Sequence, residues 1–213
     1  MSSALPTQID LTDDLAGAVP QAPLSQVPMS QVPMGQVIIS FAEDLIGLPN
    51  FGELEAFYQQ DKIVAILQQV LQYFQTHQDT TEIPSQLGEV IFQKTVELEI
   101  YVTEPVEACA INFDARGKDY ATNILSYASE LPEAVLELLP ALPLGELVIC
   151  HAVVLSQAAE QGKTVEQHLT HLLVHGMLHL LGFDHELGQA EQDEMEAIEI
   201  AVLDKLSVAN PYE

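Results

Sequence analysis

Residues 164–185, TVEQHLTHLLVHGMLHLLGFDH, constrain this chain more than any other stretch, because they set four histidines on one apolar helix and a fifth just past a glycine. At about 100° per residue, His168, His171, His175 and His179 fall on a stripe roughly 80° wide, so all four rings leave the same face of a helix over 164–181. His171/His175 and His175/His179 are each i,i+4 pairs able to reach one ion. His171 and His179, however, lie about 12 Å apart along the axis and cannot share it. A third ligand has to choose between the pairs. Gly182 can take φ > 0 just past the helix and turn the chain back, carrying His185 towards the C-terminal end of the stripe. The set selected is His175, His179 and His185. Three imidazoles leave the fourth position of a tetrahedral Zn²⁺ open, as a catalytic rather than a structural site requires, so one Zn²⁺ per chain is expected. His168 and His171 fall to packing or to support of the ligands. The competing reading, core histidines satisfied by hydrogen bonds, suits a lone histidine better than this spacing.

The rest of the chain supplies a domain to hold such a site. Residues 1–33 carry Pro, Ser and Gln with the short repeat SQVPM-SQVPM-GQV, and read as a flexible leader. The remainder, 34–213, reads as one domain. QVIISFAED, from Gln36, is the first expected strand, and LPNFGELE marks a break. Residues 61–76 place Ile63, Ile66, Leu67, Val70, Leu71 and Phe74 at helical spacing, a helix packed on a sheet. A polar connection, HQDTTEIPSQLGEV, follows. KTVELEIYVT (94–103) alternates like a half-exposed strand, EACAINF (107–113) reads as its neighbour, and ARGKD as a turn. Further strands are expected at ATNILSYA and GELVICHA, then helices at about 151–162, 164–181 and 189–206. Strands early and helices late indicate an α+β fold: a small mixed β-sheet with helices packed on it, and a zincin-like helix carrying HxxxH before a glycine turn and a third histidine.

Six Lys plus Arg against 32 Asp plus Glu give a formal net charge of −26, which by itself argues against nucleic acid as a partner. No run of eighteen apolar residues appears and the first residues are acidic, so a soluble, cytoplasmic protein without membrane partners is expected. Cys109 and Cys150 lie in apolar, strand-like stretches and fit buried reduced thiols.

The spacing H-x-x-x-H-x-x-G-x-x-H is also that of metzincin peptidases. Those enzymes need a glutamate directly after the first histidine as base, where this chain has Gly176, and a Met-turn, where Met195 lies in a helical run. Peptidase remains a competing function. So does a non-catalytic, metal-stabilised binding module.

HGMLHLLGFDH, together with INFDARGKDYATNILSY and LGELVIC upstream, closely resembles the YbeY family of bacterial zinc-dependent endoribonucleases. MGQVIISFAED looks like that family's opening strand and NPYE like its closing residues. The likeness covers about 34–213, with a probable insertion near 78–93. It implies zinc on His175, His179 and His185, and a functional role for Arg116 in the N-x-x-x-R-G-K-D run. It also implies single-stranded ribosomal RNA as substrate, action in 16S ribosomal RNA 3′-end maturation and ribosome quality control, and small-subunit proteins or an assembly GTPase as partners, but no DNA. Ala115, Tyr127 and Ala128 depart from the family's usual residues at the cleft wall.

Arg116 is the chain's one arginine, and its planar fork of donors suits a phosphate in a way lysine does not. A zinc ion makes water reactive near neutral pH, which is how the missing glutamate can be tolerated. Asp184 could orient a ligand or a water, or simply cap a turn. Asn123, Ser126 and Lys118 are candidates for the cleft. Because so few cations are available, binding of protein-free RNA should be weak and shallow in its salt dependence. A ribosomal partner would then present the strand, unless the acidic surface answers to high intracellular salt.

Overall fold

The computed structural model describes residues 34–213; the leader expected at 1–33 lies outside the described residues. Four strands form one sheet: β1 (Gly35–Phe41), β2 (Thr95–Thr103), β3 (Ile124–Ala128) and β4 (Ala141–Cys150). Their order is β1-β2-β4-β3, with β1 and β4 parallel to β2 and β3 antiparallel to β4. The alternation read in 94–103 is the observed burial of β2. Val96, Leu98, Ile100 and Val102 point into the core, and the residues between them do not.

Helices α1 (Glu43–Ile46), α2 (Phe51–Glu55) and α3 (Gln60–Thr76) follow β1. All six stripe residues of α3 are buried, and each such side chain withdrawn from water contributes roughly 1.5–3 kcal/mol. After β2 comes α4 (Pro105–Arg116), and between β3 and β4 the short α5 (Glu133–Leu136). The chain ends with α6 (His151–Glu160), α7 (Val165–Leu180) and α8 (Gln189–Lys205). Helix α7 lies at the centre. It packs on β3 and β4 and touches α3, α6 and α8, while α3 covers β1. A capping box starts α7: Thr164 Oγ1 accepts from the Gln167 N–H at 3.1 Å, and Gln167 Oε1 from the Thr164 N–H at 3.0 Å. The fold is α+β with a mixed sheet.

Several expectations need correction. EACAINF is not a strand beside β2 but the body of α4. Glu104 caps that helix by accepting from the Val106 and Glu107 N–H groups, Pro105 stands in its first turn, and Gly117 closes it. Cys109 is consequently half-exposed on α4, with its thiol on Asp119, whereas Cys150 is buried as expected. Strands and helices alternate up to β4 rather than segregating, and two of the sheet's pairings, β1–β2 and β2–β4, are parallel. The stretch at 78–93 is less polar in use than in composition. Ile83, Leu87 and Ile91 sink into the core, and the Ser85 N–H bonds the Leu181 carbonyl at the end of α7. LPNFGELE forms α2 rather than a plain break.

Candidate metal centre

Two glycines give α7 its position. A Cβ on Gly176 would come within 2.7 Å of Leu147 Cδ2 and 2.8 Å of Ile124 Cδ1, so the glycine lets the helix settle on β3 and β4 without displacing those side-chain ends. At the position where a metzincin places its base, this helix instead faces Leu147 of β4 and Ile124 and Ser126 of β3. Gly182, at φ 96°, ends the helix. The Phe183 N–H bonds the Leu178 carbonyl and the Gly182 N–H bonds that of His179, the paired bonds of a Schellman motif. The chain turns back as anticipated and brings His185 to the helix end.

His175, His179 and His185 then converge. One ring nitrogen from each lies within 4.8 Å of the others, and the His175–His185 and His179–His185 ring centres are 5.2 and 5.1 Å apart. The Nε2 atoms of His175 and His179 face each other at 3.2 Å. Nitrogens on one tetrahedral zinc at 2.0–2.1 Å would stand about 3.3 Å apart, so the observed spacing fits. The outer edges of the rings have partners of their own. His175 Nδ1 is 2.9 Å from Glu199 Oε1, and His179 hydrogen-bonds the Phe183 backbone. With the protons on those edges, both facing Nε2 atoms would present lone pairs to one point, where a cation could be held. Burial, followed by the neighbouring His175 and His185, lowers the pKa of His179 to about 4, so it stays neutral and able to ligate near pH 7.

The other two histidines of the stripe are engaged elsewhere. His171 Nε2 meets Glu199 Oε2 at 2.8 Å, and buried His168 Nε2 meets Gln157 Oε1 at 3.1 Å. The same Gln157 oxygen accepts from Asn123 Nδ2 at 2.9 Å.

Glu199 was not foreseen. It is 1% exposed on α8, and its carboxylate holds two histidines at once. Burial alone would raise its pKa, but hydrogen bonds from His171, His175 and Tyr212 hold it down to about 2. A signal was present in the sequence. Met195, Ile198 and Val202 mark the buried stripe of α8, and Glu199 falls on it, where an ionisable side chain needs partners.

A cleft of about 420 Å³ opens beside the three histidines, and Arg116, Asn123, Ser126 and Asp184 line it with them. Arg116 reaches the cleft from the last residue of α4, Asn123 and Ser126 from β3 and its approach. Asp184 Oδ1 accepts from the Glu186 N–H at 2.9 Å, the turn-making use of an aspartate, although the residue still borders the cleft. Lys118 is exposed two residues beyond Arg116 and does not line this cleft. Four of the six basic side chains are occupied: Lys62 with Glu166, Lys94 with three carbonyls, Lys163 with the Pro211 carbonyl and Lys205 with Asp204. Arg116 and Lys118 make no hydrogen bond or ion pair among the described residues. A second cavity, of about 710 Å³, adjoins on the other side of His175 and His185.

Comparison with known proteins places the chain among named relatives. A family model described as Endoribonuclease YbeY matches residues 55–207. Endoribonuclease YbeY of Psychrobacter cryohalolentis is 62% identical over 120 residues, 56% of this chain and 77% of that protein. The Psychrobacter arcticus protein of the same name is 63% identical over 120 residues, covering 58% of its own length. That of Acinetobacter baumannii is 49% identical over 131 residues, 62% of this chain and 83% of the relative. A solution structure from Thermotoga maritima aligns with 84% of this chain and 96% of its own at 17% identity and a TM-score of 0.39, too loose a likeness to carry an argument. With a family model spanning most of its length, the chain belongs to the Endoribonuclease YbeY family.

Proposed function

We propose that this protein is a metal-dependent endoribonuclease that hydrolyses phosphodiesters in single-stranded RNA, acting in the cytoplasm on ribosomal RNA at the 16S 3′ end. One observation carries the reading: the three converging histidines share a cleft with the chain's one arginine, which has no hydrogen-bond or ion-pair partner among the described residues. His175, His179 and His185 would hold one Zn²⁺. When bound, that ion supplies Lewis acidity for phosphate and brings the pKa of water towards about 7.

The chain's own groups account for the rest. Arg116 offers a bidentate fork to the non-bridging oxygens of the scissile phosphate and stabilises the charge that grows on them. Ser126 and Asn123 border the strand's path, and Gln157 holds the Asn123 amide in place. Glu199 keeps the proton of His175 on Nδ1, away from the cleft. Ribosomal presentation of the strand, through small-subunit proteins or an assembly GTPase, offsets a surface whose formal charge is −26. Peptidase activity is disfavoured because Gly176 stands where a metzincin has its base.

The test uses a fluorescent single-stranded RNA and casein, each with and without chelator. RNA cleavage that stops on metal removal, with casein untouched, is the expected result. Arg116→Lys should keep the metal and fold yet lose roughly 100-fold or more in cleavage, since a point charge does not reproduce the fork. Casein cleavage would favour the peptidase, and metal-dependent folding without cleavage of either substrate would favour a non-catalytic assembly factor.

A further inference from the structure

Behind His175 lies a hydrogen-bonded group that ends at the C-terminus. Glu199 is 1% exposed; its Oε1 meets His175 Nδ1, and its Oε2 meets both His171 Nε2 at 2.8 Å and the Tyr212 hydroxyl, which donates at 2.6 Å. A carboxylate buried this deeply is tolerated only with its oxygens saturated, so each donor matters. Two of the three come from α7, the element they help to fix. Tyr212 alone reaches in from elsewhere.

It does so through a deliberate reversal of the chain. Just past the end of helix α8 comes Ser207, a non-glycine residue at φ 59°, a region that side chains disfavour. There the Ser207 N–H bonds the Asp204 carbonyl and the Val208 N–H that of Leu203, and the following residues run back towards α7. The return is anchored at several points. Lys163 Nζ donates to the Pro211 carbonyl at 3.0 Å, Asn210 Oδ1 accepts from the Tyr212 N–H at 3.1 Å, and the Tyr212 ring meets His171 edge-on with centres 5.8 Å apart. A cation whose one bond secures a tail segment, in a chain with only six, points to a tail whose position has a use.

We propose that the C-terminal tail is a working part of the metal centre: Tyr212, anchored through Pro211 by Lys163, holds Glu199 in the orientation that keeps His175 Nε2 directed at the ion. Tyr212 and Glu199 are positioning residues, acting through His175. The inference rests on the reading of His175, His179 and His185 as ligands. Without the Tyr212 hydroxyl, Glu199 keeps His175 on Oε1 and only His171 on Oε2, so one of the three bonds that orient the carboxylate against the His175 ring is lost.

The test is Zn²⁺ affinity by chelator competition on the full chain, for wild type, Tyr212→Phe, Glu199→Gln and the double variant, with the visible spectrum of each Co²⁺-loaded protein. Tyr212→Phe removes one hydroxyl and keeps the ring, so it decides the question even if Glu199→Gln does not fold. Supporting results are an affinity loss of about 10-fold for Tyr212→Phe and about 10–100-fold for Glu199→Gln. The double variant should bind no more weakly than Glu199→Gln, because Tyr212 acts through Glu199, and the Co²⁺ bands should shift in Tyr212→Phe. Unchanged affinity and spectrum in Tyr212→Phe, or losses that multiply in the double variant, would overturn the proposal. Wild type that takes up no zinc would overturn the ligand reading beneath it, an outcome distinct from a silent Tyr212→Phe.

Discussion

The two ends of α7 carry two histidines each on one stripe, and the structure puts them to different uses. Near the start, His168 and His171 turn their Nε2 atoms to Gln157 and Glu199. Near the end, His175 and His179 give their outer edges to Glu199 and the Phe183 backbone and leave their Nε2 atoms facing each other at 3.2 Å. Residue type, helix and face are the same at both ends. What separates a ligand from a support is which ring nitrogen the protein occupies, and that is decided by neighbours distant in sequence.

The sharpest way to break this contrast is to remove one histidine from each end. His179→Ala should weaken zinc binding by more than about 100-fold, beyond the range typical of supporting partners, and abolish RNA cleavage with it. Zinc titration of the purified variant checks this, and wild-type affinity would erase the distinction.

A second, smaller effect probes the opposite face of the helix. Gly176→Ala places a methyl within 2.8 Å of the side-chain ends of buried Leu147 and Ile124; overpacking of this kind costs about 1–3 kcal/mol, offset by the roughly 1 kcal/mol that alanine gains over glycine in a helix, for a net loss of up to about 2 kcal/mol. The metal-free protein should melt several degrees lower. An unchanged melting temperature would mean that α7 has slack against the sheet.

Acid adds a third test. In the metal-free protein, His179 takes a proton only near pH 4, because burial and then His175 and His185 disfavour its charge, while unfolded histidine does so near 6.5. Between those values the unfolded state binds more protons, so stability falls as pH drops from about 6.5 towards 4. Thermal melts at several pH values read this slope. His168, lowered in the same direction by burial, contributes with the same sign. A flat profile over that window would contradict the burial assigned to both rings.

The smallest effect belongs to the start of the helix. His168→Ala should leave zinc affinity within about 3-fold of wild type, since it loses a bond to Gln157 and no ligand.

Helix α7 was legible in the sequence for a physical reason: its apolar period, its glycine and its histidine spacing all agree, and the turn at Gly182 follows from the one residue free to make it. Helix α4 was not. EACAINF is short, and its apolar residues do not line one face. Val106 and Phe113 are 77% and 56% exposed while Ala108 and Asn112 are buried, so no stripe marks the helix. Arg116 could be singled out as the one arginine, but its approach to the histidines depends on where α4 ends. Glu199 and Tyr212 escaped notice because their meaning lies in contacts across 13 to 28 positions of sequence.

The central claim is that His175, His179 and His185 hold a single ion needed for RNA cleavage. Zinc content and single-stranded RNA cleavage measured together on the same preparations of wild type, His185→Ala and His168→Ala test it most directly. The account predicts about one zinc per chain and active cleavage in wild type and His168→Ala, and neither in His185→Ala. Equal zinc in His185→Ala and His168→Ala, or full cleavage by metal-stripped wild type, would contradict it.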